Sequence, residues 1–229
     1  MNSSNRASDF PFILFLNGPR EVGKSSVAVR LASKFPGRTH IIAHADPLAW
    51  ATSEMFWSGG DMVAPLKDSE VKRGPLPGFD HVQHPEGILE PPKYIYHAEH
   101  VTLENMPPVR TYTVRDWLIA LGHFTRAQLG PDALSRILLR RMVENEAFVK
   151  LFIVEGCRTS EDIETIVEHY GPQCCLVVRL FREGHSFEGD LGYYIPPEKY
   201  PAVEFLDLHN NGTLEEVVDV LVEKLNAKL

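Results

Sequence analysis

Apolar positions along this chain change their spacing repeatedly, and each change marks an element. Phe12–Leu16 is an unbroken apolar run closed by Asn17 and Gly18, the pattern of a short strand buried on both faces. From Ser25 to Phe35 the spacing lengthens. Val27, Val29, Leu31, Ala32 and Phe35 predict a helix that Pro36-Gly37 ends. Thr39–Ala43 is a second buried-strand pattern. Asp46 as N-cap and Pro47 at the first helical position then start a helix that runs to about Trp57.

The pattern resumes at Thr113, where Thr113 and Asp116 are spaced as a capping box. Trp117, Leu118, Leu121 and Phe124 predict one apolar helix face, and Leu134, Ile137, Leu138 and Met142 a second helix after Gly130-Pro131. Leu151–Val154 reads as a third strand, Thr159–Tyr170 as a helix, Cys174–Leu180 as a fourth strand and Val203–Leu208 as a fifth. Thr213 and Glu216 open a last helix that buries Leu214, Val217, Val218, Leu221 and Leu225. Strands without alternation, separated by helices, predict an α/β chain: a five-stranded parallel sheet flanked by helices on both faces.

Between the two halves the periodicity stops. Eight prolines fall between Ser58 and Thr111, with many Gly and His residues, so the reading is a long irregular insertion with short strands near Tyr94–Tyr96 and Val101–Leu103. Loops of this length are uncommon unless they serve a function. The expected organisation is a first core part over 1–57, an insertion over 58–112, and a second core part over 113–229. Two H-x-x-H pairs, His81/His84 and His97/His100, lie in the insertion. Four imidazoles suit Zn²⁺, but no helical pattern sets their geometry and no cysteine joins them. Solvent-facing or acceptor-contacting histidines are the favoured reading.

Composition narrows the class. The chain has 229 residues and a formal charge of −8, which argues against non-specific nucleic-acid binding through neutralised phosphates. Three cysteines, two of them adjacent, do not make a disulfide framework. No apolar run approaches the roughly 20 residues of a membrane span, and the N-terminus has no apolar signal region. The expectation is a cytoplasmic protein.

Chemistry enters at Gly18-Pro-Arg-Glu-Val-Gly23-Lys24-Ser25, which matches G-x-x-x-x-G-K-[ST] between a predicted strand and a predicted helix. That context predicts a P-loop NTPase fold. Glycines allow a tight turn whose N–H groups, from Gly18 and Arg20 through Glu21, Val22, Gly23, Lys24, Ser25 and Ser26, face the phosphates of ATP, and the helix dipole adds positive charge. Lys24 suits the β- and γ-phosphates, and Ser25 suits Mg²⁺. The N-K-x-D signature of guanine-specific switches is absent.

The sequence resembles the deoxynucleoside monophosphate kinases of bacteriophage type, within the wider nucleoside monophosphate kinase group. The resemblance runs through FLNGPREVGKSSVA, HADPLAWA, RDWLIALGHFTRAQLGPDAL, FIVEGCRTSEDIETI, VVRLFREGHSFEGD and NNGTLEEVVDVL, and omits most of Ser58–Tyr112. It implies transfer of a phosphoryl group from ATP to a (deoxy)nucleoside monophosphate, with Mg²⁺, in a host cytoplasm if the source is a phage. It further implies a carboxylate facing the acceptor at Asp46, whose alternative is a helix cap, and acceptor-phosphate arginines at Arg126 and Arg115, whose alternative is surface charge. Glu155 would hold Mg²⁺ through water or pair with Arg158. Near 180–200 a lid would bring Arg182, rather than Arg179, to the moving charge, with His185 in the same turn. Asn210-Asn211-Gly212-Thr213 resembles the loop beside the donor adenine, with Asn211 and Gly212 as its site residues and a turn plus helix cap as the alternative. Open alternatives are a kinase for another small acceptor or a modified DNA base, and a non-catalytic nucleotide-binding module. The oligomeric state stays open, a homodimer included.

Overall fold

All five apolar runs form strands, and a central one explains why the first is buried throughout. The structure, a computed structural model, describes residues 10–56, 114–188 and 192–229. The insertion at 58–112, its four histidines, Trp57, Thr113 and Asp190 therefore lie outside the described residues. The elements are β1 (Phe12–Asn17), α1 (Lys24–Lys34), β2 (Thr39–Ala43), α2 (Asp46–Phe56), α3 (Val114–Leu129), α4 (Ala133–Asn145), β3 (Leu151–Cys157), α5 (Glu161–Tyr170), β4 (Cys175–Phe181), β5 (Glu204–His209) and α6 (Leu214–Asn226). The chain divides into two compact units, 10–44 with 135–229, and 45–134, among its described residues.

The first unit holds the sheet. Its order is β2-β3-β1-β4-β5 and every pairing is parallel. A central parallel strand has neighbours on both edges and cover on both faces, which is why β1 reads as continuous apolar sequence. Leu14, Leu16, Ile153, Leu176 and Val178 face one core with Val27, Ala28 and Leu31 of α1 and Val217, Val218, Leu221 and Leu225 of α6. Ile13, Phe15, Phe152, Val154 and Val177 face a second core with Leu138 and Met142 of α4 and Ile163, Ile166 and Tyr170 of α5. Ile195 and Val203 join that second core, so the segment 192–203 covers the β4–β5 part of this face.

Local signals set several boundaries. Thr213 caps α6 in a full capping box, its hydroxyl accepting from the Glu216 N–H at 3.3 Å while Glu216 accepts from the Thr213 N–H at 3.2 Å. Helix α5 begins at Glu161, two residues after the expected Thr159. The Asp162 carboxylate accepts from the N–H groups of Arg158 and Thr159, at 2.8 and 3.1 Å, and holds that preceding turn outside the helix. Strand β3 runs three residues past the expected Val154, through a bulge at Gly156. Asp46 lies inside the first turn of α2 rather than at its N-cap. The Ala45 carbonyl already accepts from the Ala49 N–H at 2.9 Å, which makes Ala45 the cap.

In the second unit the predicted apolar face of α3 shifts. Val114 and Leu118 are buried, whereas Phe124 is 63% exposed. The close side of the helix runs through Gly122, where a Cβ would stand 3.1 Å from Leu48 Cδ1 of α2. The absence of a side chain there lets α2 approach along Leu118 and Gly122, and Phe124 points elsewhere. The Trp117 indole N–H donates to Thr52 Oγ1 at 3.0 Å across the same pair of helices.

These burials predict a clear contrast. Leu118→Ala should lower unfolding free energy by about 2–5 kcal/mol, while Phe124→Ala should change it by less than about 0.5 kcal/mol. Urea unfolding followed by circular dichroism distinguishes them, and equal costs would restore the Leu121–Phe124 face.

Candidate active site

Strand β1 delivers the chain to a turn whose shape is set by two residues with positive φ. Glu21 has φ +59° and Gly23 has φ +97°; such left-handed positions allow successive N–H groups to converge into an anion-binding nest. Glu21 is the only non-glycine residue with positive φ among the described residues. Gly18 lies flat against β4, with the Leu180 carbonyl oxygen 2.8 Å from where a Cβ would be. Helix α1 begins at Lys24, and its N-cap Gly23 supplies no side-chain cap. An N-terminus of this kind offers N–H groups and the positive end of the dipole to an anion. Motif, turn and the five-stranded parallel sheet together make this a P-loop NTPase fold.

Three side chains hold the turn. The Lys24 ammonium donates to the carbonyls of Gly18 at 2.7 Å and Pro19 at 2.5 Å, folded back over its own loop. Asn210 Nδ2, from the turn after β5, donates to the Val22 carbonyl at 2.8 Å. Arg182, after β4, reaches the Glu21 carbonyl with Nη1 at a long 3.4 Å. Arg20, Ser25 and Ser26 are exposed and Val22 is buried in the core beneath.

Glu155 meets Ser25. The Ser25 hydroxyl donates to Glu155 Oε2 at 2.6 Å. The bulge explains how: Glu155 pairs with Leu16 and faces α1, then Gly156, with φ +77°, is inserted, and Cys157 pairs with Asn17 and turns to the opposite core. A hydroxyl and a carboxylate oxygen side by side at an anion nest suit a hard cation such as Mg²⁺, which takes few protein ligands and keeps several waters. No group of three or more His, Cys, Asp or Glu side chains able to hold a metal occurs among the described residues.

The other face of the sheet carries a different set of groups. Asn17, fully buried, donates to the carbonyls of Cys157 at 2.9 Å and Tyr193 at 3.1 Å and accepts from the Ile195 N–H at 3.1 Å. It pins the segment after Gly192 to the ends of β1 and β3. Tyr193 and Tyr200 extend that attachment to Ser160 at the start of α5. Next to it, a cavity of about 520 Å³ is lined by Arg182, His185, Phe187, Tyr194, His209 and Asn211, among others. Phe181 stacks on Tyr194 with ring centres 4.2 Å apart. The Glu183 N–H donates to Asn211 Oδ1 at 2.8 Å, joining the turns after β4 and β5. Arg179 does not line this cavity, although its guanidinium lies over the Phe181 ring, 5.9 Å from the ring centre. Its guanidinium forks onto Asp207 at 2.6 and 2.7 Å, and that pairing raises its pKa.

His44 ends the β2 segment in a buried polar contact. Its Nε2 lies 2.7 Å from the Asp162 carbonyl, so that nitrogen carries the proton, and Nδ1 faces Cys157 Sγ at 3.8 Å. Burial pushes the Cys157 thiol well up, and Cys174 and Cys175 likewise, so all three free cysteines are small packing residues rather than nucleophiles.

In the second unit Asp46 is buried in the first turn of α2. Arg115 and Arg126 share the continuous helix α3. Eleven residues bring them to the same side but separate them by about 16 Å along the axis, too far to grip one phosphate as a pair and comparable with a nucleotide's length. Arg126 Nη1 lies at ordinary contact distance, 3.6 Å, from where a Gly122 Cβ would be. His123 has its pKa lowered, first by burial and then by the charge of Arg126.

Sequence reasoning did not identify Asn17 or His44 as parts of this framework, and it placed Asn210 only in the loop beside the donor adenine. A polar residue closing a buried apolar strand was the available signal for Asn17. Asn210 with Val22 and His44 with Asp162 act across 188 and 118 residues, separations that local pattern does not encode.

No protein-family model matches the chain, and no curated protein matches it. Among solved structures it is similar to thymidylate kinase from Candida albicans, at 10% identity over 96% of this chain and 93% of that one, with a TM-score of 0.43. It is also similar to a gluconokinase from Sinorhizobium meliloti 1021, at 13% identity over 96% and 98%, with a TM-score of 0.34. A third is dephospho-CoA kinase from Campylobacter jejuni, at 15% identity over 95% and 97%, with a TM-score of 0.38. These likenesses are too loose to pass a substrate from those proteins to this one.

Gly23→Ala tests the turn itself. A Cβ there would lie 2.5 Å from Asn210 Nδ2 and would be attached to a residue at φ +97°. The variant should bind ADP at least about tenfold more weakly by calorimetry, a loss of the size that backbone strain and a displaced hydrogen bond produce. Unchanged affinity would mean that the turn is not the anion site.

Proposed function

We propose that the protein is a nucleotide kinase that transfers the γ-phosphoryl group of ATP to a (deoxy)nucleoside monophosphate, releasing ADP and the (d)NDP. The observation that carries this reading is the uncapped start of α1, enclosed by a turn with two positive-φ residues, with Ser25 and Glu155 in contact at 2.6 Å beside it. Amides of Gly18 and Arg20–Ser26 hold the donor phosphates, and Lys24 exchanges its loop carbonyls for phosphate oxygens when they arrive. Ser25 is the hydroxyl that would hold Mg²⁺, with Glu155 acting through its water shell; the cation supplies charge neutralisation between β- and γ-phosphates.

In the transfer, an oxygen of the acceptor's phosphate forms a bond to the γ-phosphorus while the bond from that phosphorus to the β–γ bridging oxygen breaks. ADP leaves with the electron pair. The acceptor phosphate is already ionised, so positioning and charge stabilisation outweigh any need for a base. Arg182, next to the loop at Glu21, is the residue for the charge on the transferred group. Asn211, which lines the aromatic cavity, and its neighbour Gly212 border the donor base. Arg126 takes the acceptor phosphate, Arg115 lies a nucleotide's length away on the same side of α3, and Asp46 orients the acceptor. A cytoplasmic setting and a phage-type substrate range accompany this reading.

A coupled ADP-release assay across nucleoside monophosphates is the direct test. Release stimulated by one or more of them is expected, and ATP binding without stimulation by any would favour a nucleotide-binding module. Lys24→Ala should lower kcat/KM by about 100-fold or more, the scale of removing one charge-stabilising donor. Glu155→Gln should lower kcat more than it raises the KM for ATP.

His123 offers a separate readout at the acceptor side. Because burial and the Arg126 charge both depress its pKa, a phosphate dianion bound at Arg126 should offset that repulsion, favour the imidazolium and raise the pKa. Ring-proton titration by NMR, with and without a productive monophosphate, measures this. A downward or absent shift would remove Arg126 from the acceptor site.

A further inference from the structure

We infer that Asn210 is a positioning residue for the donor phosphates, a role that rests on the phosphate-loop reading above and adds a residue outside the loop motif. Its side-chain amide donates to the Val22 carbonyl at 2.8 Å. The peptide unit between Val22 and Gly23 is planar and trans, so its C=O and N–H point in opposite directions. A donor that holds the Val22 oxygen on the outside of the turn therefore aims the Gly23 N–H to the inside, where an anion would sit. Glycine is required opposite this amide for a second reason besides φ, since a Cβ at position 23 would stand 2.5 Å from Asn210 Nδ2.

Asn210 is itself fixed. Its N–H donates to the Phe181 carbonyl at 2.7 Å, which ties the turn after β5 to the end of β4. The neighbouring Asn211 accepts from the Glu183 N–H at 2.8 Å. The turn that borders the aromatic cavity and the peptide that faces the phosphates thus share one rigid attachment. A shift of that turn moves the Val22–Gly23 peptide with it, and the geometry ties occupancy of the base side to orientation of a phosphate-binding N–H. Asn210 touches the loop and not the reacting atoms, so its effect should fall on donor binding.

The test uses Asn210→Ala and Asn210→Asp in the full chain. The aspartate variant keeps size and the backbone bond to Phe181 but replaces the donor with an acceptor facing the Val22 oxygen, so it remains informative if the alanine variant folds poorly. Asn210→Ala should weaken ADP binding by about tenfold, the scale of one lost hydrogen bond at a charged site, and Asn210→Asp should weaken it further. The KM for ATP should rise in step, while kcat and the KM for the monophosphate stay within about threefold, an effect below one hydrogen bond.

The Gly23 amide proton, assigned by NMR, supplies the readout that a purely structural role would not move. Saturating ADP should shift it strongly downfield in the native protein and less than half as far in either variant. If the native protein shows no such shift, the phosphate-loop reading fails and this inference with it. If the native and variant shifts and affinities are alike, the loop reading stands and the role of Asn210 is overturned.

Discussion

Several backbone N–H groups pointing into one small space repel one another, because their dipoles present the same sign to the same point. Such a nest persists only if the matching carbonyls are held on its outer side. Here the outer attachments come from Arg182 after β4 and Asn210 after β5, while Lys24 ties two loop carbonyls from within the loop. The middle strands of the sheet bring these together. β1 leads into the turn, β4 lies beside β1, and β5 lies beside β4, so the loops at their C-terminal ends are neighbours. The sheet order thereby decides which side chains can hold the phosphate turn.

The same edge separates two environments by side-chain parity. Residues of β1, β3, β4 and β5 alternate between the α1–α6 core and the α4–α5 core. Glu155 falls on the α1 side and reaches Ser25, whereas the bulge at Gly156 turns Cys157 to the other core. A single inserted residue places an acidic group beside the Ser25 hydroxyl and buries a thiol in the opposite core. Asn17, on the α4–α5 side, fastens the 192–195 segment against the sheet. The aromatic cavity is built by that fastened segment and the two turns, not by any helix of the described residues.

Charge placement follows burial. Arg179 is neutralised by a forked pair with Asp207 and serves the sheet edge, while Arg182, three residues later, is exposed beside the loop. Two arginines with the same local sequence character therefore have different surroundings, fixed by where β4 ends. On α3, Gly122 lets α2 approach closely, with Leu48 Cδ1 3.1 Å from where its Cβ would be, and Arg126 lies one turn further along the same helix.

Sequence alone determined the strand and helix alternation, the parallel sheet and the phosphate turn, because each rests on local chemistry. Apolar runs such as Phe12–Leu16 and Leu151–Val154, bounded by turn residues, suit a doubly covered strand, and the spacing of Gly18, Gly23, Lys24 and Ser25 encodes a turn followed by a helix start. The Thr213–Glu216 box was legible for the same reason. Tertiary structure alone decided the partners. Glu155 with Ser25, Asn210 with Val22, Asn17 with Ile195 and Arg179 with Asp207 are separated by 130, 188, 178 and 28 residues, and no periodicity spans such distances. Those contacts depend on sheet order and strand register, which arise from summed burial across the whole core rather than from any one segment's own preference.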